Sequence, residues 1–266
     1  MGGAFSPYGA LVFLIICLSV SAQDFKVTLL GTGSPIPIID RFSPSTLVEA
    51  GREKLLIDCG RGASIRLWQL HIPLGGVTAV FLTHLHSDHV VGISDVWLTG
   101  WLPPPFGHRT EPFRISGPTG TREHATAKPA FGYRIDYGGR SVVLSGDTRV
   151  SENLIRFSKG TDLLVHEVAW AKPELIDKSE AARIIIALHT TPEQAGIVFS
   201  RVKPKLAVYS HIVLFTTDPN VTEPTGADVL RLTRKTYDGP LELGEDLMTI
   251  LIGDKITVHR MTDAAR

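Results

Sequence analysis

Short apolar runs along the chain end again and again in glycine, proline or polar clusters, the pattern of strands and helices interleaved. Phe25 to Leu30 predicts a strand that stops at Gly31-Thr32-Gly33-Ser34-Pro35. Thr46 to Ala50 and Lys54 to Asp58, joined through Gly51-Arg52-Glu53, predict a β-hairpin, Ala63 to Leu70 a helix and Val77 to Leu82 a further strand. Phe131 to Tyr137 and Ser141 to Ser145 flank Gly138-Gly139-Arg140, a second hairpin signal. Asp162 to Val168 predicts a strand. Thr191 to Val202 predicts a helix with Thr190 or Thr191 as N-cap, Pro192 at its first position and Glu193 and Gln194 in its first turn. Lys205 to Ser210 predicts a strand stopped by His211, Ala227 to Tyr237 a helix, and Met248 to Ile252 and Lys255 to His259 two closing strands.

Several of these strands carry polar residues at their C-terminal ends. That places a site on the rim of an internal β-sandwich in an α/β protein. The Gly31-Thr32-Gly33 spacing is not a dinucleotide loop, because Pro35 and Pro37 stand where a helix would have to begin.

The strongest chemical signal follows the run Val77 to Leu82. Residues 83 to 89 read Thr83-His84-Leu85-His86-Ser87-Asp88-His89, three histidines and an aspartate in one short turn. Imidazole nitrogens and carboxylate oxygens in that density suit a divalent metal such as zinc. His84 and His86 alternate, so an extended segment points both to one side. Asp88 and His89 then fall where the chain turns into a helix, and can face a second metal about 4 Å from the first.

With these residues in place, the chain resembles the metallo-β-lactamase-fold hydrolases, whose signature is His-x-His-x-Asp-His at a strand end. Within them it is similar to the ribonuclease Z and arylsulfatase-like branch, over nearly everything after residue 25. The resemblance implies a four-layer αββα metallo-β-lactamase sandwich. It further implies that His84, His86 and His124 hold one zinc, that Asp88, His89 and His211 hold the other, and that Asp147 touches both. Manganese or iron can share such sites. A hydroxide bridging two dications would attack an ester whose transition state gathers negative charge.

His189, in His189-Thr190-Thr191-Pro192, resembles a histidine and hydroxyl motif that contacts the scissile group, and is expected to stabilise the transition state or protonate the leaving group. His166-Glu167-Val168 resembles a His-Glu-Ala motif. Glu167 could orient a catalytic histidine, or either residue could satisfy buried backbone groups. Asp58 is expected to support the metal loop through hydrogen bonds or to cap a turn. Trp97, Trp101, Leu102, Pro103 to Pro105 and Phe106 either pack or wall a leaving group. His71, His108 and His259 match no motif, and Cys59 reads as a small buried residue.

Composition narrows the picture. With 266 residues and 43% hydrophobic content, the chain can build one large domain over residues 23 to 266. Lys plus Arg and Asp plus Glu are 27 each, which removes a bulk electrostatic drive toward nucleic acid or an anionic membrane. Ala10 to Val20 is apolar and ends at Val20-Ser21-Ala22, a secretory signal over residues 1 to 22 cleaved after Ala22, although no Lys or Arg precedes it. The expected location is periplasmic or secreted, with no membrane association after cleavage. Ile16-Cys17 lacks the small residue expected before a lipidated cysteine.

Two departures from the family matter. No segment has the composition of the glycine- and lysine-rich arm with which ribonuclease Z enzymes clamp tRNA. The turn Gly117-Pro118-Thr119-Gly120-Thr121 lies almost against His124, where relatives place several tens of residues, so a sheet edge is expected to be exposed. The leading expectation is therefore a dinuclear zinc hydrolase of the arylsulfatase-like or phosphodiesterase kind, acting on a small-molecule ester, with nucleic acid not expected and a homodimer left open. The alternatives are a ribonuclease Z-type tRNA 3′-processing endonuclease and a non-catalytic metal-binding protein with an abbreviated fold.

Overall fold

A computed structural model describes residues 25–119, 130–216, 218 and 220–261. His124 and the apolar N-terminal segment lie outside these residues. Among the described residues no helix is long and apolar enough to cross a membrane.

Strands β1 (Phe25–Gly31), β2 (Ser45–Ala50) and β3 (Glu53–Ile57) lead into helix α1 (Ala63–Gln69), strand β4 (Ala79–Phe81), helices α2 (Ser87–Val90) and α3 (Ile93–Gly100), and strand β5 (Arg114–Ser116). The chain continues through β6 (Tyr133–Tyr137), β7 (Arg140–Leu144), α4 (Glu152–Ser158), β8 (Leu163–Trp170), α5 (Pro173–Lys178), α6 (Glu180–Leu188), α7 (Pro192–Val202) and β9 (Leu206–Leu214). Helix α8 (Gly226–Thr233) and strands β10 (Leu241–Leu243), β11 (Thr249–Ile252) and β12 (Ile256–His259) complete it. The strands form two mixed sheets, ordered β12-β11-β1-β2-β3-β4-β5 and β10-β9-β8-β7-β6.

Alternation along the strands creates four layers. Val27 and Leu29 on β1, Val48 on β2 and Ile250 on β11 meet Val142, Leu144, Leu163, Val165 and Val208 of the other sheet in a shared core. The opposite face of the first sheet, through Leu30, Leu47, Leu56 and Val80, buries Leu67 of α1 and Val96 of α3. Outside the second sheet, Val143, Leu164 and Ala207 pack on Ile155 of α4, Val198 and Phe199 of α7, and Val229 of α8. The expected αββα arrangement is thus present.

Local chemistry explains the element ends. Gly138 and Gly139 both have positive φ, at 57° and 75°, and close the two-residue turn between β6 and β7. Thr191 caps α7 in a reciprocal box with Gln194, with Pro192 in its first turn. Two expectations are corrected. The strand expected over Val77 to Leu82 is paired only over Ala79–Phe81, and β9 does not stop at His211 but runs on to Leu214. Between His166↔Tyr209 and Val168↔Ile212, β9 contains one more residue than β8, so Ser210-His211 forms a bulge with φ 47° at His211. The bulge turns the histidine without ending the strand. At the edge of the first sheet, all three residues of β5 are exposed.

The loop after β1 is tied down by one buried carboxylate. Asp246 accepts hydrogen bonds from Thr32 N (2.9 Å), Thr32 Oγ1 (2.8 Å), Phe42 N (2.8 Å) and Arg66 Nη2 (2.9 Å). Asp246→Ala would leave the buried Arg66 guanidinium without this partner, so a loss of about 3–5 kcal/mol in urea unfolding is expected. A loss below about 1 kcal/mol would show that the loop is held by other contacts.

Candidate metal centre

The candidate ligands converge from two strand ends, a bulge within a third strand and one short helix. His84 and His86 follow β4, Asp88 and His89 lie in α2, Asp147 follows β7, and His211 sits on the β9 bulge. His84, His86 and Asp147 present ligand atoms within 4.8 Å of one another, and Asp88, His89 and His211 do the same. Asp147 stands between the trios, 3.5 Å from His84 Nε2 and from His89 Nε2 and 3.3 Å from His211 Nε2. The structure therefore brings together six of the seven expected ligands, while His124 lies outside the described residues.

The donors fit a metal on their own evidence. Both carboxylate oxygens of Asp88, Nε2 of His89, Oδ1 of Asp147 and both ring nitrogens of His211 are buried without a hydrogen-bond partner. Buried polar atoms are nearly always satisfied, and unpaired groups of ligand type gathered in one such cluster match an ion's requirements.

Asp58 supports this cluster. Its backbone has φ 58°, and its carboxylate accepts from Thr83 N (2.8 Å), Thr83 Oγ1 (2.8 Å) and His89 Nδ1 (2.8 Å). Fixing Nδ1 in this way turns His89 Nε2 toward Asp88 and Asp147. Thr83 was not singled out from the sequence, although its place directly before His84 at a strand end was a usable signal.

Electrostatics prepare the centre. Burial, then the charge of His89, lowers His84 to about 4, so its ring is neutral and able to ligate at neutral pH. Burial opposes protonation of His89, but Asp58, Asp147 and Asp88 outweigh it and raise His89 to about 9. Burial would raise Asp88 and Asp147, but the surrounding histidines, His211 foremost, hold both carboxyls below the ordinary range. In the metal-free protein, His89 therefore keeps a proton until pH rises past about 9, and a metal must displace it. Zinc binding is expected to release protons and to tighten as pH rises, most steeply below about pH 9, read by calorimetry in buffers of different ionisation enthalpy. Affinity that stays flat between about pH 6 and 9 would contradict this reading.

Beside the trios stands His189, whose Nδ1 lies 3.1 Å from Glu167 Oε2 and whose ring faces that of His211 at 5.5 Å. Glu167 is buried, and its Oε1 also accepts from Thr190 N (2.8 Å) and Thr148 N (3.3 Å), so the carboxylate is fixed before it meets the histidine. Burial lowers His189, but the bond to Glu167 and the charges of Asp147 and Asp88 raise it above its ordinary value. Of the two roles open to the His166-Glu167 pair, Glu167 orients His189. His166 Nδ1 instead sits 2.6 Å from the Glu167 carbonyl, inside the core.

The aromatic stretch does not wall the site. Trp97, Trp101, Leu102 and Phe106 are exposed, and Phe106 stacks on Trp68 at 5.7 Å, because α3 turns Val96 inward and leaves Trp97 and Leu98 outside. The apolar wall beside the cradle comes instead from Pro35, Ile36, Ile185, Leu188, Val213 and Phe215. Cys59 is buried among Leu56, Leu67 and Val96 as expected, and burial raises its thiol.

Comparison with known proteins places this geometry. Residues 25–102 match the family model described as Anti-Pycsar protein Apyc1, and residues 102–212 match the Beta-lactamase superfamily domain. A ribonuclease Z from Mycobacterium bovis is 30% identical, covering 84% of this chain and 96% of its own length. The chain belongs to the ribonuclease Z relatives within the metallo-β-lactamase fold. It is a metal-dependent hydrolase acting on ester bonds. The metallo-β-lactamase fold protein YhfI from Bacillus subtilis superposes with a TM-score of 0.70 at 19% identity, over 85% of this chain and 98% of that one. Human tRNase Z, short form, gives 0.62 at 21% identity with the same coverage.

These relatives favour the ribonuclease Z reading over the arylsulfatase-like one. They also run against the expectation that nucleic acid is no substrate. That expectation rested on the lack of an arm composition, the export signal and a formal charge of zero, and the last averages over the whole surface and says nothing of the ground around one site. The M. bovis alignment spans 277 positions, whereas 84% of this chain is about 223 residues, so the relative carries some fifty positions without a counterpart here.

Proposed function

We propose that this centre hydrolyses phosphodiesters, with an RNA 3′ end as the first substrate to test. The observation that carries the reading is the juxtaposition of two ligand trios, Asp147 of the first lying within 3.5 Å of His89 and 3.3 Å of His211 of the second, with a Glu167-held His189 at their edge. Two dications, when bound, supply Lewis acidity to the attacking and leaving oxygens. His84, His86 and Asp147 would hold one ion, with His124 as a further ligand, and Asp88, His89 and His211 the other, with Asp147 reaching both. Asp58 fixes His89, Glu167 fixes His189, and His189 delivers a proton to the departing oxygen.

A second reading, a small phosphodiester substrate, is favoured by the missing positions and by the absence of an arm composition near His124. Export across a membrane, resting on the apolar segment Ala10 to Val20, goes with this second reading.

The test is a substrate panel on the zinc-reconstituted protein: precursor tRNA, bis(p-nitrophenyl) phosphate and p-nitrophenyl sulfate. Turnover of precursor tRNA with a kcat/KM above that of both small esters is expected. Faster cleavage of the small diester would establish the second reading, and a preference for the sulfate ester would overturn both.

A further inference from the structure

The candidate metal centre opens into a neighbouring cavity of about 260 Å³. His86, Asp147, His189 and His211 reach this cavity, so anything held there lies beside the reacting ester. The rest of its wall is Pro35, Ile36, Ile185, Leu188, Val213 and Phe215, with Ser34 the one further polar residue. Among the described residues no lysine or arginine lines it, and this lining makes a second phosphate a poor occupant.

Two of the apolar lining residues, Ile36 and Leu188, are also about half exposed. Single exposed aliphatic residues are ordinary, but apolar residues from separate segments gathered around one cavity mark a binding surface. The Asp246 network holds the loop that carries Pro35 and Ile36 against the body of the protein. The wall is therefore built in advance of any ligand.

We propose that this cavity is a subsite for an apolar substituent of the scissile ester, one that reads bulk and offers no pattern of hydrogen bonds. The proposal rests on the ester-hydrolase reading of the adjoining centre. The shared chemistry is an apolar surface carried on a phosphoryl group, and it can come from an alkyl or aryl chain or from the face of a nucleobase.

The test measures binding by calorimetry to the zinc-loaded protein. The probes are methyl-, propyl-, hexyl- and phenylphosphonate and the four common nucleoside 5′-monophosphates. Kd is expected to fall about fourfold per added methylene until the cavity fills, and the four nucleotides to bind within about fivefold of one another. Hexylphosphonate binding tighter than the nucleotides identifies a chain as the occupant, and the reverse identifies a base. In the Ile36→Ser, Leu188→Ser double variant the dependence on chain length should flatten. Both side chains are about half exposed, so folding is not at stake, and an unchanged circular dichroism melt checks this. Kd independent of chain length, or one base preferred by more than about tenfold, would overturn the subsite. A clear chain-length dependence in a protein that hydrolyses no ester would instead sink the hydrolase reading and leave the subsite standing.

Discussion

Replacing Asp88 by alanine is expected to lower turnover of bis(p-nitrophenyl) phosphate by roughly a thousandfold or more, beyond the 10–100-fold that loss of an outer supporting partner costs. Asp88 is fully buried, yet neither carboxylate oxygen has a hydrogen-bond partner, and both His89 Nε2 and His211 Nε2 stand 3.5 Å away. A side chain in that position contributes little to the fold that a smaller residue would forfeit. Its use is to hold an ion. The variant should therefore remain folded, with a near-native circular dichroism spectrum, and lose bound zinc along with activity. Turnover within tenfold of the parent protein would remove Asp88 from the metal centre.

His189→Ala is expected to slow cleavage by about a hundred- to ten-thousandfold when the leaving group is an alkoxide, the range of a lost general acid. With p-nitrophenolate, which departs without a proton, the loss should be under about tenfold. The contrast follows from geometry. Glu167 anchors Nδ1 of His189 at 3.1 Å and is itself fixed by two backbone N–H groups, which leaves Nε2 free to face the reacting ester. Because Asp147, His189 and His211 also present ligand atoms within 4.8 Å of one another, an equal loss on both substrates, accompanied by loss of metal, would make His189 a ligand instead of an acid.

The cradle was legible in the sequence because its four polar residues are adjacent and follow an apolar run that had to be a strand. Asp147 and His211 were reachable only through family resemblance, since each is a single polar residue at the end of an ordinary strand. The course of β9 past His211 was not legible, because a bulge depends on pairing with β8, which no local pattern encodes. The wall of the site was misplaced for a similar reason. Trp97 and Trp101 carry the stronger apolar signal, but which face α3 buries is settled by Val96 against the first sheet. Ile36, Leu188 and Phe215 come from three distant segments that only the tertiary fold assembles.

The most direct measurement is a titration of the metal-free protein with zinc, following bound metal by mass spectrometry and phosphodiester turnover in the same samples. Two ions per chain are predicted, with turnover reaching its plateau as the second site fills. A plateau at one ion, or turnover indifferent to chelation, would contradict the two-metal centre.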